Sequence, residues 1–309
     1  MSNESKYRQV TNELVSIIKD SVESGKALPW RRTWTNRGVA SLPFNYTNMV
    51  PYNGINRVVL WCAASKKGYS SMGWLTMKQV NELGGSVIKG EKSTRCIFVK
   101  PIFETDGKDD DSKEGVNRTV VKFYSLFYSL FNTEQCIGLA AGSDISSKTG
   151  SIDFDSILEN YQKQSGITYV FGTDQPAYRP YSDTVTMPLD VTFQCNNDFI
   201  AVFSHDLVHS TGHADQLNRK FMDDSTFTHK DLALEELIAV LGSAFLCTEL
   251  NIVTDVQNHA SYVKSWLKAL EDDEKFIFKA AAAAQKAVSF LSQYSGSVEP
   301  TEHDVQAAL

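Results

Sequence analysis

The residues best suited to chemistry are two histidines, His205 and His209, which lie four positions apart in the chain. Residues with this spacing lie on one face of an α-helix, a turn apart, so both imidazoles can reach a single ion. The alternative is that both rings only cap or pack a helix. An acidic residue directly after the first histidine and a second acidic helix downstream favour a metal site.

Asp206 occupies the position at which metallopeptidases with an H-E-x-x-H motif carry their glutamate. In those enzymes this carboxylate is the general base of the hydrolytic reaction. Aspartate has the same chemistry, but its side chain is shorter by one methylene, or about 1.5 Å. We therefore expect metal binding, with Asp206 as the candidate catalytic base of a peptidase activity that is weak or absent.

A zinc site of this kind requires a third protein ligand. Glu235 and Glu236 begin an apolar run with helical spacing, so a second helix could present a carboxylate to the first. We favour Glu236, which with Ala239 three residues on occupies the position of a gluzincin-type glutamate, whereas Glu235 would point about 100° away around that helix. Asp215 and His213 remain alternatives. Histidine and carboxylate ligands suit Zn²⁺, and Mn²⁺, Co²⁺ or Ni²⁺ could also bind them.

Two helices must position these residues. The pattern predicts one helix from Phe199 to Val208 for the histidines and another from Leu232 to Leu250 for the glutamates. A shorter helix is expected from Phe154 to Tyr161, and an extended segment from Thr184 to Pro188. The region from Asp255 to Tyr294 is rich in alanine and strongly helical. The C-terminal half is therefore predicted to be mostly helical.

Length and charge indicate two different halves. The chain has 309 residues, enough for two domains, and 42% of them are hydrophobic. Residues 1–100 contain 15 Lys and Arg against 6 Asp and Glu, whereas residues 101–309 contain 15 against 31. A basic half on an acidic protein suggests an anionic ligand, with nucleic acid the first choice, although a basic surface without a ligand would give the same count.

Other features bear on the compartment. No apolar run approaches the ~20 residues of a membrane span, and the N-terminus lacks a signal pattern, so we expect no membrane association and a cytoplasmic location. The cysteines are odd in number and scattered, and they are predicted to be buried free thiols. They are Cys62, Cys96, Cys136, Cys195 and Cys247.

The N-terminal half is predicted to be an α/β domain. Its expected elements are a helix over residues 5 to about 25, a helix from Val58 to Ala64, a helix from Met77 to Leu83 with Thr76 as N-cap, and strands from Arg95 to Phe103 and from Thr119 to Phe131. Residues 104–118 are polar and acidic, and they form a predicted loop between the strands.

Candidate DNA contacts also lie in this half. Two tryptophans flank two arginines in residues 28–34, a combination that can stack bases and hold phosphates, although both rings could equally belong to the core. Further polar and basic residues follow at the start of the second helix and in a glycine-flexed loop. The candidates are Trp30, Arg31, Arg32, Trp34, Tyr52, Asn53, Asn56, Arg57, Lys89, Lys92 and Arg95.

Several separated stretches together resemble the ArdC-type antirestriction proteins of plasmids and phages. They include Tyr52-Asn53-Gly54-Ile55-Asn56, Trp74-Leu75-Thr76-Met77-Lys78-Gln79, Met187-Pro188, the histidine motif with Thr211-Gly212-His213, Leu217-Asn218-Arg219 and Glu235-Glu236-Leu237. The resemblance implies an N-terminal domain that binds single-stranded DNA, a C-terminal zincin-like metallopeptidase domain, and protection of entering DNA from host restriction enzymes. Asp206 and Val240 depart from the family pattern, which has acidic residues there, the first a glutamate.

We therefore expect an α+β fold with two domains. Residues 1–141 form the single-stranded-DNA-binding domain, 142–150 a linker, and 151–309 the zincin-like domain. The expected partners are single-stranded DNA and host restriction enzymes, and the oligomeric state is open. Two alternative functions are an active DNA-associated zinc metallopeptidase and a DNA mimic, whose acidic half would engage restriction enzymes.

Overall fold

The computed structural model describes residues 3–30, 35–36, 39–40, 42–104, 119–139, 152–220, 226–253 and 260–295. The N-terminal elements are α1 (Asn3–Glu23), β1 (Thr35–Asn36), β2 (Val39–Ala40), β3 (Phe44–Asn45), α2 (Gly54–Lys67), β4 (Gly73–Leu75), α3 (Met77–Glu82), β5 (Ser86–Val87), β6 (Thr94–Glu104), β7 (Thr119–Asn132) and β8 (Cys136–Ile137). The C-terminal elements are α4 (Phe154–Ser165), β9 (Thr168–Phe171), β10 (Ala177–Arg179), β11 (Thr184–Met187), α5 (Asn196–Ser210), α6 (His229–Glu249), α7 (Ala260–Asp272) and α8 (Phe276–Ser292). This mixture of helices and sheets confirms the α+β class.

Local sequence signals fix several helix ends. The side chains of Thr76 and Gln79 form a reciprocal capping box at the start of α3, as the sequence predicted for Thr76. Helix α2 ends at Gly68, whose φ of 75° is in the left-handed region that glycine adopts without strain. These signals place α2 and α3 on either side of the short strand β4.

The described residues form two larger sheets, one in each half, and two smaller sheets that pair β1 with β2 and β5 with β8. The N-terminal sheet has the order β3-β4-β7-β6, and its β6 and β7 form a long antiparallel hairpin that pairs Thr94 with Leu130 at its base. The C-terminal sheet has the order β10-β11-β9, in which β9 and β11 are parallel and β10 is antiparallel at the edge. Strand β10 runs beside α5, so this edge borders the histidine helix.

Helix α6 is the centre of the C-terminal half. Its residues from Leu237 to Cys247 are all buried, as expected for a helix that is covered on every side. Gly242 allows a close approach to α5, because a Cβ at this position would lie 2.8 Å from both γ-methyl groups of Val208. The two helices that were predicted to carry the metal ligands therefore pack directly against each other.

The two halves share one hydrophobic core, and α2 is central to their contact. The backbone N–H of Gly54 donates to Gln285 of α8 at 3.1 Å. Arg57, on the first turn of α2, forms an ion pair with Glu249 at the C-terminal end of α6 at 3.1 Å. The C-terminal end of the helix that carries the glutamates is thereby attached to the N-terminal half.

The prediction for the C-terminal helices is confirmed, whereas the prediction for the cysteines requires correction. The region from Asp255 to Tyr294 was expected to be strongly helical, and its described part consists largely of α7 and α8, separated by a turn at residues 273–275. The five cysteines are free, as predicted, but Cys195 is exposed and Cys136 is only partly buried, because they lie at the start of α5 and in the short strand β8.

Other predictions concern the connections. In the part of the chain that the structure describes, every helix is too short or too polar to cross a bilayer. The predicted linker at 142–150 and nearly all of the acidic loop at 104–118 lie outside the described residues. The predicted domain boundaries at 141 and 151 stay predictions.

Candidate metal centre

His205 and His209 face each other across one turn of α5. Their Nε2 atoms are 3.2 Å apart, and the two rings meet edge to face with centroids separated by 4.8 Å. The side chains are 17% and 12% exposed, so the pair is shielded but still open on one side. This is the arrangement that the four-residue spacing predicted.

Glu236 of α6 completes a group of three potential ligands. Its carboxylate oxygens lie 3.7 Å from Nε2 of His205 and 3.7 Å from Nε2 of His209. One atom from each residue can be chosen so that all three lie within 4.8 Å of one another. Two imidazoles and one carboxylate suit a divalent cation such as Zn²⁺, so these residues fit the metal that the sequence pattern implies.

The neighbouring Glu235 contacts the other side of the same imidazole. Its Oε1 lies 3.1 Å from Nδ1 of His209, on the ring edge opposite the Nε2 that faces Glu236. Burial favours the neutral imidazole, but the hydrogen bond and negative charge of Glu235 outweigh it and raise the pKa of His209 in the metal-free chain. Glu235 thus contacts a potential ligand from the side away from the other two potential ligands.

Arg219 holds Glu235 in place. Its Nε and Nη2 donate to the two carboxylate oxygens of Glu235 at 2.9 and 2.8 Å. The same guanidinium donates to Oγ1 of Thr211 at 2.9 Å and to the carbonyl of Val208 at 2.7 Å. Burial opposes ionisation of Glu235, but hydrogen bonds from His209 and Arg219 lower the pKa of Glu235 to about 2.

Asp206 lies deeper than the three potential ligands. It is 5% exposed, and its carboxylate accepts a hydrogen bond from the backbone N–H of Tyr178 in β10. Burial is the main reason that the pKa of Asp206 rises to about 6, while the charge of His209 and the Tyr178 hydrogen bond oppose this rise. The candidate base is therefore also a polar contact between α5 and the edge strand.

The alternative third ligands lie elsewhere. The side chain of Asp215 is 86% exposed and lies 3.7 Å from Nδ1 of His213, in the loop that follows α5. Within the described ranges, the potential metal-binding group contains His205, His209 and Glu236 but neither of these residues. The close packing of α5 and α6 brings the carboxylate of Glu236 to the histidines. His213 and Asp215 lie in the loop after α5 and take no part in this packing.

Three candidate DNA contacts are used inside the protein. Trp30 is 4% exposed and belongs to the core, so it cannot stack a base. Arg57 is 1% exposed, pairs with Glu249 and lies over the ring of Phe245, so its charge is not presented to a ligand. The amide of Asn56 accepts from the N–H and donates to the carbonyl of Ile97. Burial therefore argues against the predicted DNA-binding roles of Trp30 and Arg57, whereas the role of the partly buried Asn56 stays a prediction.

The remaining candidates have mixed surroundings. Tyr52 and Asn53 are partly buried, and each accepts a hydrogen bond from Arg57. Arg95 is half-buried and donates to Gln9 of α1. In the predicted basic loop, Lys89 and Lys92 are exposed. The last three candidates, Arg31, Arg32 and Trp34, lie outside the described residues.

Comparisons with known proteins agree with this architecture. Residues 5–127 match the family described as the N-terminal domain of the anti-restriction factor ArdC. Residues 156–283 match the zincin-like metallopeptidase family. The crystal structure of the antirestriction protein ArdC from the R388 plasmid, in its metal-free form, superposes with a TM-score of 0.71 at 33% identity, covering 94% of this chain and 97% of that one.

A Mn(II)-bound structure of the same plasmid protein gives a TM-score of 0.70 at 32% identity and covers 95% of this chain and 99% of that one. An Escherichia coli protein, DNA primase TraC, is 34% identical over 91% of this chain, which spans 19% of the length of that primase. Protein y4eC of Sinorhizobium fredii is 29% identical over 96% of this chain and 94% of its own length.

Fold and site together define a two-domain protein whose C-terminal part is a zincin-like metallopeptidase domain. The expected family resemblance is confirmed: the chain belongs to the ArdC family of antirestriction proteins.

Proposed function

We propose that this chain is an antirestriction protein that binds single-stranded DNA and holds one divalent cation through His205, His209 and Glu236. The observation that carries the metal part is the convergence of these three side chains from two packed helices. Zn²⁺ or Mn²⁺ fits the ligand set, and a relative has been solved with Mn(II). When bound, such an ion would polarise a carbonyl group or a water molecule.

We infer that the peptidase activity of this chain is weak. A general base must reach the proton it removes within hydrogen-bond distance or through one water. Asp206 has a short side chain, is 5% exposed, and accepts the N–H of Tyr178. Its carboxylate is therefore held toward β10, which limits its reach into the space between the three ligands.

An active peptidase is the second candidate. Two observations favour it: the ligand group has its full complement of three side chains, and the pKa of Asp206 is raised to about 6, nearer to the working pH of a general base. Cleavage of an unfolded protein substrate, measured with and without a chelator and with and without single-stranded DNA, separates the two candidates. Rapid chelator-sensitive cleavage favours the active enzyme.

The DNA part of the proposal rests on charge and on family membership. The first 100 residues have 15 basic against 6 acidic side chains. Lys89 and Lys92 are exposed near the base of the β6–β7 hairpin, where they can approach phosphates. Fluorescence anisotropy with a labelled single-stranded oligonucleotide tests the proposal, and we expect the affinity to fall with salt as counterions are released. Affinity that does not depend on salt would contradict a phosphate-based interface.

A further inference from the structure

We propose that Glu235 and Arg219 are positioning residues, which together hold His209 in the tautomer that presents the Nε2 lone pair to the metal. The inference rests on the proposed metal site and extends it to two residues that do not touch the ion. It follows from the contacts of one imidazole, one carboxylate and one guanidinium.

The direction of the hydrogen bond determines the tautomer. An ionised carboxylate can only accept, so the 3.1 Å contact between Oε1 of Glu235 and Nδ1 of His209 places the proton on Nδ1. The Nε2 of the neutral ring then has a lone pair, and it faces the carboxylate of Glu236 at 3.7 Å and Nε2 of His205 at 3.2 Å. The contact with Glu235 thus selects the form of His209 that can bind an ion among these groups.

Arg219 fixes the carboxylate that makes this selection. Its two hydrogen bonds, of 2.9 and 2.8 Å, occupy both oxygens of Glu235, so the carboxylate cannot rotate without breaking one of them. Both side chains are largely buried, at 12% and 7% exposure, so these charge-assisted bonds are less weakened by water than bonds at the surface. The positive charge of Arg219 compensates the negative charge of Glu235, whose burial would otherwise be unfavourable at this position.

The same guanidinium also connects three chain segments. It donates to Thr211 and to the carbonyl of Val208 at the end of α5, while Glu235 belongs to α6. The loop returns Arg219 to this place through backbone bonds from Leu217 to Thr211 and from Arg219 to Gly212, of 2.9 and 2.8 Å. Arg219 therefore sets the relative position of the two ligand-bearing helices as well as the orientation of one ring.

The test is metal affinity in the full chain, measured by competition with a chromophoric chelator for Zn²⁺ and Mn²⁺. Glu235→Gln keeps the size of the side chain, but its amide can present an NH₂ group to His209 and favour the other tautomer. We expect a 10- to 100-fold weaker affinity, the usual effect of losing such a partner. Arg219→Lys keeps a positive charge without the paired hydrogen bonds and should give an intermediate loss.

Glu249→Gln is the matched control. It changes the same residue type on the same helix, and Glu249 also accepts hydrogen bonds from a buried arginine, Arg57, but at the opposite end of α6. We expect its metal affinity to stay within about threefold of the unchanged chain, because loss of the ion pair with Arg57 at this distant end of α6 should not change the positions of the metal ligands. An equal loss in the control would overturn the positioning role.

The tautomer provides a second readout that does not require metal. In the metal-free chain, at a pH high enough for the His209 ring to be neutral, the ¹⁵N NMR signals of His209 should show a proton on Nδ1, and Glu235→Gln should shift the population toward Nε2. If Glu235→Gln does not fold, the same spectrum of Arg219→Lys decides. An unchanged tautomer, or metal affinity equal to that of the unchanged chain, would overturn the inference and leave the metal site standing. Absence of metal binding by the unchanged chain would contradict both the positioning role and the metal site.

Discussion

Glu235 and Glu236 are adjacent in the chain, yet their carboxylates contact opposite edges of the same imidazole ring. Glu236 lies 3.7 Å from Nε2 of His209, and Glu235 lies 3.1 Å from Nδ1. Successive residues on a helix point about 100° apart, which allows one carboxylate to face a bound ion while the other orients a ligand. Two adjacent glutamates on α6 thereby supply both a candidate ligand and its support.

We predict that Asp206→Glu raises peptidase activity. The longer side chain extends about 1.5 Å further toward the space between the ligands, where a general base must act. Initial rates of cleavage of an unfolded protein, measured at equal metal content, should rise by about tenfold or more, within the range that general bases contribute. The matched control is Asp206→Glu combined with His209→Ala, which should be inactive. Equal rates for the unchanged chain and Asp206→Glu would show that Asp206 does not limit catalysis.

We predict that Gly242→Ala destabilises the protein, although alanine is normally better than glycine in a helix by roughly 1 kcal/mol. The new Cβ would lie 2.8 Å from both γ-methyls of Val208, so α5 must move away from α6. Overpacking of this kind costs typically about 1–3 kcal/mol, and metal affinity should fall with it.

A double-mutant cycle provides the control for this prediction. Val208→Ala makes room for the added methyl, so Gly242→Ala should cost less free energy of unfolding in that background. Chemical denaturation of the metal-free chains measures all four corners. If Gly242→Ala alone increases stability, the close approach of the two helices is not as described.

We predict a pH-dependent stability difference between the metal-free chain and Asp206→Asn. The pKa of Asp206 is raised to about 6 in the folded state by burial, above its usual value near 4, so folding favours the protonated form. The charged carboxylate therefore lowers stability as pH rises from about 4 to about 6. Above this window Asp206→Asn should be more stable by an amount on the order of 3 kcal/mol, and below about pH 4 the difference should vanish.

Thermal and urea unfolding in the presence of a chelator, from about pH 3.5 to 7.5, check this dependence. Asp215→Asn is a suitable control, because the side chain of Asp215 is 86% exposed and its neutralisation should change stability little. A constant difference across the pH range would contradict the burial of a charged Asp206.

We predict that exposed and buried cations differ in their effect on DNA binding. Replacing Lys89 and Lys92 together with alanine should flatten the dependence of log affinity on log salt, by about 0.7 for each phosphate that the variant no longer neutralises. Arg57→Met should lower thermal stability, because it leaves Glu249 without its buried partner, yet leave the salt slope unchanged. Anisotropy titrations at several salt concentrations distinguish the two, and a flatter slope for Arg57→Met would place it in the interface.

The sequence predicted the helices and strands well, because they depend on local spacing. The four-residue interval of His205 and His209 requires only a helix, and the boundaries of α2 and α3 follow from Gly68 and Thr76. The preference for Glu236 over Glu235 followed from its gluzincin-like position and from helical geometry, and it stays a prediction.

Burial of charged and polar residues could not be predicted in the same way. Arg57 begins an apolar helix, which suggested an anion site, but its partner Glu249 is 192 positions away and is brought near by tertiary packing. The role of Arg219 likewise depends on the path of the loop after α5. A contact between two residues that are far apart in the sequence produces no periodic pattern around either residue, so the sequence alone does not predict it.

The most direct test of the account is the metal content of the purified chain by elemental analysis after loading with Zn²⁺ or Mn²⁺ and removal of excess ion. Variants with His205 and His209 replaced by alanine, and with Glu236 replaced by glutamine, are compared with Asp215→Asn. We predict about one ion per chain for the unchanged protein and for Asp215→Asn, none for the histidine variant, and strongly reduced content for Glu236→Gln. Metal content that is absent from the unchanged chain, or equal in all four proteins, would contradict a metal centre built from these three residues.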